Sequence, residues 1–190
     1  MHELISQRFS ARGFDPAASV SADEVTDILE AGRWAPTWGR VQPVRFIVGI
    51  RGDATFTTLA TTLNRGNASW APNAGVLILL CTTDAPADPN LDVYGGVDLG
   101  LALAQMILQC EALGLNGHAL AGFDKDSART AFEIPADKKP LVILAAGRLV
   151  DDLSTLPSEI ATRDRQPRER LPLSEVAFRG SWGESFTLAP

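Results

Sequence analysis

Histidine, cysteine and lysine are scarce in this sequence of 190 residues, which contains two, two and three of them. His2 and His118 stand far apart without metal-ligand spacing, which disfavours histidine metal sites and His-based catalytic triads. Cys81 and Cys110 lie in apolar stretches, where cysteine usually behaves as a small buried hydrophobic residue, and no disulfide framework is expected. No metal site and no catalytic side chain are therefore predicted.

The motifs of several enzyme classes are also missing. The sequence contains no GxGxxG, GxxxxGK[ST], GxSxG or HExxH motif. Dinucleotide-binding Rossmann enzymes, P-loop NTPases, α/β-hydrolases and zinc proteases are therefore disfavoured. Asp98 lies in a predicted buried helix and is interpreted as a capping or packing acid. An enzyme with so few reactive side chains would have to take its reactivity from a bound cofactor.

Length and charge favour one soluble domain. A chain of this length, 45% hydrophobic and with a net charge of −6, suits a single domain over residues 1–190 and disfavours nucleic-acid or anionic-membrane binding. The N-terminus lacks a signal-peptide pattern and the longest apolar run, Leu99 to Cys110, is too short to span a bilayer, so a cytoplasmic protein is expected. Two short net-positive segments, 1–12 and 163–170, rely on arginine and favour a small anionic ligand.

Local signals predict alternating helices and strands. Ser21 with Glu24 forms a capping box, Asp53 and Asp124 or Asp126 are further caps, and Gly114 fits a Schellman stop. Strands are predicted at 44–50, 74–82 and 140–147, and a short strand or extended loop at 118–123, whereas residues 151–167 are expected to be irregular. The helix predicted over 94–113 is apolar almost all round, which favours cover by a second subunit.

A rigid loop is predicted over residues 35–43, because Pro36 and Pro43 end the preceding helix near Trp34 and delay the next strand. The loop presents Thr37, Trp38, Arg40 and Gln42. An ordinary helix-to-strand connection explains these residues as well as a binding role does.

Four segments together resemble the FMN-dependent nitroreductase family, over most of the chain from about Gln7 to Trp182. The segment QRFSARGF (7–14) is similar to the family's RxSxRxF-type phosphate segment, and APTWGRVQP (35–43) resembles its AP(S/T)xxNxQP loop. Residues 98–115 with AGFD (121–124) resemble its central helix and flavin-facing turn. RERLP (168–172) resembles its C-terminal basic pair.

This resemblance implies an α+β fold of three α-β-α layers around a central mixed β-sheet. It also implies an intertwined homodimer with two FMN sites at its interface and with the tail, about residues 179–190, packed on the partner subunit. The implied cofactor-binding residues are Arg8, Phe9, Ser10, Arg12, Pro36, Thr37, Trp38, Arg40, Asn64, Asn67, Ala121, Gly122, Arg168 and Arg170.

The resemblance gives these residues different roles. Arg8, Ser10, Arg168 and Arg170 would hold the FMN phosphate, and Arg12 would place a cation near the pyrimidine edge of the flavin. Asn64 and Asn67 would bind the ring edge, while the backbone N–H near Gly122 would face N5.

Three residues depart from the family pattern. Ala121 stands where an acid is common, which matters little if the backbone alone makes the contact. Trp38 replaces a serine, and either narrows the pocket, stacks on a substrate or packs on the partner chain. Arg40 replaces an asparagine, and its guanidinium could meet a substrate acid, a nicotinamide phosphate or only solvent.

The activity implied is ping-pong transfer: NADH or NADPH donates hydride to flavin N5, and a small electron-poor acceptor such as a nitroaromatic or a quinone is then reduced. Three alternatives stay open. The protein could be a flavin-consuming relative of the same fold, a non-enzymatic flavin-binding or storage protein, or an unrelated binder of a phosphate ligand.

Overall fold

A four-stranded antiparallel sheet organises the computed structural model, which describes residues 1–39, 41–85 and 88–187. The strand order is β1-β2-β4-β3, and each of the three pairings is antiparallel. The strands are β1 (Arg45–Ile50), β2 (Val76–Thr83), β3 (Asn116–Leu120) and β4 (Lys138–Gly147).

The expectation of a mixed sheet is thereby corrected for the described strands. Continuous apolar runs such as residues 76–82 are typical of strands buried on both faces, which occur most often in parallel sheets. Here helices bury both faces of antiparallel strands. The apolar run therefore reports burial and carries no information on strand direction.

Eight α-helices surround the sheet in the described part of the chain. They are α1 (Glu3–Gln7), α2 (Ala22–Arg33), α3 (Ala54–Thr62), α4 (Arg65–Ala68), α5 (Pro89–Ala112), α6 (Lys125–Ala131), α7 (Ser158–Arg165) and α8 (Leu173–Val176).

The three-layer α-β-α arrangement of the α+β fold is confirmed by two hydrophobic cores. Alternate side chains of β2 point to opposite faces: Val76 and Ile78 pack with residues of α2 and α5, whereas Leu77 and Leu79 pack with residues of α3 and α6. The N-terminal segment enters the α3 side through Phe14, which is fully buried.

The predicted helix caps are confirmed. Ser21 and Glu24 form the capping box of α2, and Asp53 and Asp124 cap α3 and α6. The Schellman stop follows α5, where the Leu115 N–H donates to the Cys110 carbonyl at 2.8 Å and Gly114 adopts a φ of 68°.

Helix α5 begins at Pro89, five residues before the predicted start. It is long and apolar enough to cross a membrane by length and composition alone, a test that the core helix of a soluble domain also passes. Its inner face contacts α2 and the sheet, and it buries Asp98. Its outer face exposes Val93, Tyr94, Val97 and Leu101.

The prediction of an irregular segment over 151–167 is wrong, because α7 occupies residues 158–165. This helix has almost no apolar stripe, and Ala161 is its one buried residue. Its side chains instead bond to the N-terminal segment. Beyond α8, an isolated bridge between Phe178 and Ser185 folds the tail back on itself, leaving Trp182 92% exposed.

Candidate cofactor-binding site

The N-terminal segment, residues 8–13, is fixed to the core through its backbone. The Ala11 N–H donates to Asn116 Oδ1 at 3.2 Å, and Asn116 Nδ2 donates to the Phe9 carbonyl at 2.9 Å. His118 Nδ1 lies 2.7 Å from the Ala11 carbonyl, which requires the proton on Nδ1. Burial lowers the pKa of His118 to about 4, so this histidine is neutral at pH 7.

Helix α7 holds the same segment from the opposite side. Asp164 Oδ2 accepts the backbone N–H groups of Arg12 and Gly13, both at 2.8 Å. Arg163 Nη1 donates to the Ser10 carbonyl at 2.9 Å and to Asp164 Oδ1 at 3.0 Å. The two ends of the chain therefore meet through side-chain contacts.

These contacts produce a cavity of about 250 Å³, the arginine cavity. It is lined by Arg8, Phe9, Ser10, Arg163, Gln166, Pro167, Arg168 and Arg170. Five of the predicted site residues thus come together, although about 160 positions separate the two groups. Arg8 Nη1 donates to Ser10 Oγ at 3.3 Å, and Arg168 donates to the carbonyls of Ser6 and Arg8.

Positive charge is crowded at the arginine cavity. Burial, followed by the neighbouring Arg168 guanidinium, lowers the pKa of Arg8. Within residues 1–39, 41–85 and 88–187, none of Arg8, Arg168 and Arg170 makes an ion pair. A bound anion would relieve this repulsion.

Arg12 lies next to this cavity and faces an aromatic stack. Its guanidinium carbon is 5.5 Å from the centroid of the Trp70 ring, which stacks on His118 at 4.4 Å. Arg12 Nε and Trp70 Nε1 are buried, and neither finds a hydrogen-bond acceptor among the described residues. A buried donor without an acceptor costs about 1–3 kcal/mol, so the two donors indicate a place for an acceptor.

Asn64, Asn67 and Gly122 form a third group, as predicted for the ring edge. The Gly122 carbonyl accepts the Asn64 N–H at 3.1 Å and Asn67 Nδ2 at 2.9 Å. A Cβ atom at Gly122 would lie 2.4 Å from Asn64 Nδ2, so the close approach requires glycine. The Gly122 N–H makes no hydrogen bond in the part of the chain described, and the neighbouring Ala121 is exposed. The backbone N–H of Trp70 donates to the Asn67 carbonyl. This bond links the third group to Arg12, which lies over the Trp70 ring.

The described residues Pro36, Thr37 and Trp38 of the predicted loop are not brought to the arginine cavity within one chain. The Trp38 N–H donates to Asp98 Oδ1 at 2.9 Å, and Trp38 stacks on Tyr94 with ring centroids 5.1 Å apart. Burial lowers the pKa of Arg8, and the negative charge of Glu111 partly offsets this shift, so Glu111 lies near the arginine cavity. Asp98 precedes Glu111 by about four turns of α5, or roughly 20 Å. Pro36, Thr37 and Trp38 thus lie far from Arg8, and Arg40 lies outside the described residues.

Sequence reasoning missed the residues that position the site. Arg163 and Asp164 lie in the arginine-rich segment that was predicted, but only the helix that carries them explains which way they face. Asn116, His118 and Trp70 are buried polar or aromatic residues without a motif. Their burial is what marks them as positioning residues, and burial can be seen only in the structure.

The model of the nitroreductase family matches residues 5–55 and 50–148. The chain belongs to the nitroreductase family. A crystal structure described as an oxidoreductase containing FMN is 30% identical, covers 97% of this chain and 94% of its own, and superposes with a TM-score of 0.88.

Two further relatives come from bacteria. A 15.4 kDa protein of Mycolicibacterium smegmatis is 45% identical over 148 residues, which is 74% of this chain and 98% of the relative. The Bacillus subtilis protein named "Putative NAD(P)H nitroreductase YdgI" is 23% identical over 189 residues, covering 79% of this chain and 88% of its own.

The residues of this nitroreductase-family chain fit the chemistry of FMN. Guanidinium groups bind phosphate oxygens through paired, charge-assisted hydrogen bonds, and several converge at the arginine cavity. The buried donors of Arg12 and Trp70, which have no acceptor among the described residues, would suit the acceptors of a flavin ring. The described residues contain no group of three or more His, Cys, Asp and Glu side chains that could hold a metal ion.

Proposed function

We propose that this protein is a homodimeric, FMN-dependent NAD(P)H oxidoreductase that reduces a small electron-poor acceptor, such as a nitroaromatic or a quinone. The observation that carries the proposal is the arginine cavity, where Arg8 and Ser10 meet Arg168 and Arg170. The family assignment and the FMN-containing structural relative support the choice of ligand.

The phosphate would be held mainly by arginines whose donors are free. Among the residues that the structure describes, Arg170 directs one nitrogen to the Glu169 carbonyl, and the Arg8 guanidinium bonds only to Ser10 Oγ. Each charge-assisted hydrogen bond to a phosphate oxygen contributes about 1.5–3 kcal/mol. Arg168 is occupied with two carbonyls, so it contributes charge and holds the N-terminal segment in place.

The isoalloxazine ring would extend from the arginine cavity past Arg12 towards Asn64, Asn67 and Gly122. When bound, FMN supplies an N5 atom that accepts hydride and passes electrons on. The guanidinium of Arg12 would stabilise the negative charge that reduction places on the pyrimidine edge. The free N–H of Gly122 would orient the ring. No side-chain acid or nucleophile is required.

A second copy of the chain would complete the pocket. The exposed residues Val93, Val97 and Leu101 form an apolar strip on α5, and Trp38 and Tyr94 continue it as a stacked pair. Apolar patches of this kind mark association surfaces. Pairing through this strip would bring the 35–43 loop of one chain to the cofactor of the other, and the tail is proposed to pack on the partner.

An absorbance spectrum followed by anaerobic reduction tests the proposal. The purified protein, or the apoprotein with added FMN, should show the visible absorbance band of oxidised flavin. Addition of NADH or NADPH in the absence of oxygen should bleach this band. A colourless protein that takes up no FMN would contradict the proposal and favour another phosphate ligand.

Two further assays distinguish this proposal from the alternative activities. Steady-state NAD(P)H oxidation with a quinone is expected, and its absence in protein that binds FMN would point to flavin storage. Cleavage of added reduced FMN in air would instead identify a flavin-consuming enzyme.

A further inference from the structure

Asp164 makes contacts that neither the motif comparison nor the arginine cavity explains. Its side chain is 2% exposed, and one carboxylate oxygen accepts two successive backbone N–H groups, those of Arg12 and Gly13. Its other oxygen pairs with Arg163, which also donates to the Ser10 carbonyl. A buried carboxylate with three donors is well satisfied and geometrically fixed.

Gly13 permits this close approach. A Cβ atom at this position would lie 2.5 Å from Leu156 Cδ1 and 3.2 Å from Asp164 Oδ2. A side chain at residue 13 would therefore require the Leu156 side chain to move and would crowd the Asp164 carboxylate. Glycine at position 13 therefore leaves room for the contact that the Asp164 carboxylate makes with the backbone of Arg12 and Gly13.

The contact joins the two parts of the arginine cavity. Arg8, Ser10 and Arg12 belong to the N-terminal segment, whereas Arg168 and Arg170 follow α7 within six residues of Asp164. Apart from Arg168, which lies in an exposed part of the chain, the bonds from residues 163–170 to the segment come from Arg163 and Asp164. The separation of the two arginine groups therefore depends on this buried contact together with the exposed Arg168 bonds.

We propose that Asp164 is a positioning residue, which holds the Arg12–Gly13 backbone against α7 and so sets the arginines from both ends of the chain at the spacing of one phosphate group. The inference rests on the proposed function, because FMN is the ligand whose phosphate would use this spacing. Asp164 itself does not touch the ligand. It acts through the backbone of its neighbours and through Arg163.

The test compares FMN with riboflavin, which has the same ring and no phosphate. Apoprotein carrying Asp164→Ala is titrated with each flavin, and binding is followed by quenching of flavin fluorescence. Because the arginines lose their spacing and with it about one charge-assisted contact to the phosphate, the Kd for FMN should rise about 10–100-fold. The Kd for riboflavin should rise less than that for FMN, because riboflavin can lose only the ring contact of Arg12 and has no phosphate for the other arginines to hold. General loosening of the fold would instead weaken both flavins alike.

Matched variants separate the hydrogen bonds from the charge. Asp164→Asn keeps an oxygen that accepts both N–H groups, and should restore most of the affinity for FMN. Glu159→Gln removes a charge from the same helix that also acts on Arg12, and should leave both Kd values unchanged. If Asp164→Ala does not fold, Asp164→Ser, which leaves space for water in place of the carboxylate, replaces it.

Two outcomes would overturn the positioning role: wild-type affinity for FMN in Asp164→Ala, or equal losses of FMN and riboflavin. If the wild-type protein binds neither flavin, the proposed function fails. The contact itself is then decided by amide hydrogen exchange at Arg12 and Gly13. These amides should be protected in the wild-type protein and exchange faster in Asp164→Ala, and unchanged exchange would refute the contact.

Discussion

Arg168 and Arg170 are two residues apart, yet their guanidinium groups have different surroundings. Arg168 donates to the carbonyls of Ser6 and Arg8, and therefore ties the C-terminal segment to the N-terminal one. In the part of the chain that the structure describes, Arg170 bonds only to the neighbouring Glu169 carbonyl, and its other guanidinium donors make no hydrogen bond. A motif treats the pair as equivalent, whereas the structure gives the two guanidinium groups different hydrogen-bond partners.

Replacing Arg170 with alanine should weaken FMN binding about 10–100-fold, because one charge-assisted phosphate contact is lost and each tenfold corresponds to roughly 1.4 kcal/mol. Fluorescence titration of the apoprotein measures the change. Arg179→Ala, an exposed arginine further along the tail, is the control and should bind FMN normally. Equal affinities of the Arg170 variant and the wild-type protein would show that Arg170 does not hold the phosphate.

The buried His118 predicts a pH dependence of stability. Its pKa is lowered to about 4 from an ordinary value of 6.5, so between these values the unfolded chain binds a proton that the folded chain does not. Stability should therefore fall as the pH decreases from 6.5 to 4, by up to about 3 kcal/mol.

Urea denaturation across this range, compared with a His118→Asn variant, isolates the effect from that of the carboxylates. The decline specific to His118 should disappear in the variant. It should persist in His2→Asn, which changes the exposed histidine at the start of α1. Parallel pH profiles for the wild-type protein and His118→Asn would contradict the assignment.

At the scale of single elements, helix α2 is held at its first turn by Glu24. The carboxylate pairs with Arg148 at 2.8 Å and accepts the Ser21 N–H at 2.8 Å. The Arg148 hydrogen bond first, and the Ser21 backbone second, lower the pKa of Glu24 to about 2. The first turn of α2 is thereby joined to the residue after β4.

Glu24→Gln should lower the free energy of unfolding by about 1 kcal/mol at pH 7, because glutamine keeps the capping box and loses the ion pair. The contribution of a carboxylate with a lowered pKa is present above pH 4.5 and lost as the pH falls towards 2. The difference from the wild-type protein in urea denaturation should therefore vanish near pH 2. Asp23→Asn, on the same turn, is the control. A difference that does not depend on pH would refute the ion pair.

Local signals predicted the elements whose ends are written in the sequence. Ser21, Asp53, Asp124 and Gly114 each satisfy backbone groups within a few residues, so their roles could be predicted without the tertiary structure. Helix α7 could not be predicted, because its side chains are mostly polar and its stability comes from contacts with a segment about 150 residues away. Strand direction was not encoded in the apolar runs either.

The candidate site could likewise be predicted only as far as residue types and short motifs reach. The motifs identified Arg8, Arg168 and Arg170 because residue type reflects the chemistry of the ligand. They could not identify Asp164, whose proposed role depends on the spacing it enforces. They also could not show that Trp38 lies beside Asp98, which is about 20 Å along α5 from Glu111. That separation is explained if the site is shared between two chains.

At the scale of the whole molecule, the apolar strip on α5 predicts a dimer. Sedimentation velocity should give twice the mass of the chain for the wild-type protein, and Val97→Asp or Leu101→Asp should give the mass of one chain, since burying an unpaired carboxylate in an apolar interface is unfavourable. Ile5→Asp, at an exposed position of α1, should remain dimeric. A wild-type monomer, or dimeric Val97 and Leu101 variants, would contradict the proposed interface.

The most direct test of the central claim is a crystal structure of the protein grown with FMN. The account predicts electron density for the phosphate in the cavity bounded by Arg8, Ser10 and Arg170, with the ring extending past Arg12 towards Gly122. Flavin density with the phosphate at another place, or an arginine cavity filled only by water at saturating FMN, would contradict it.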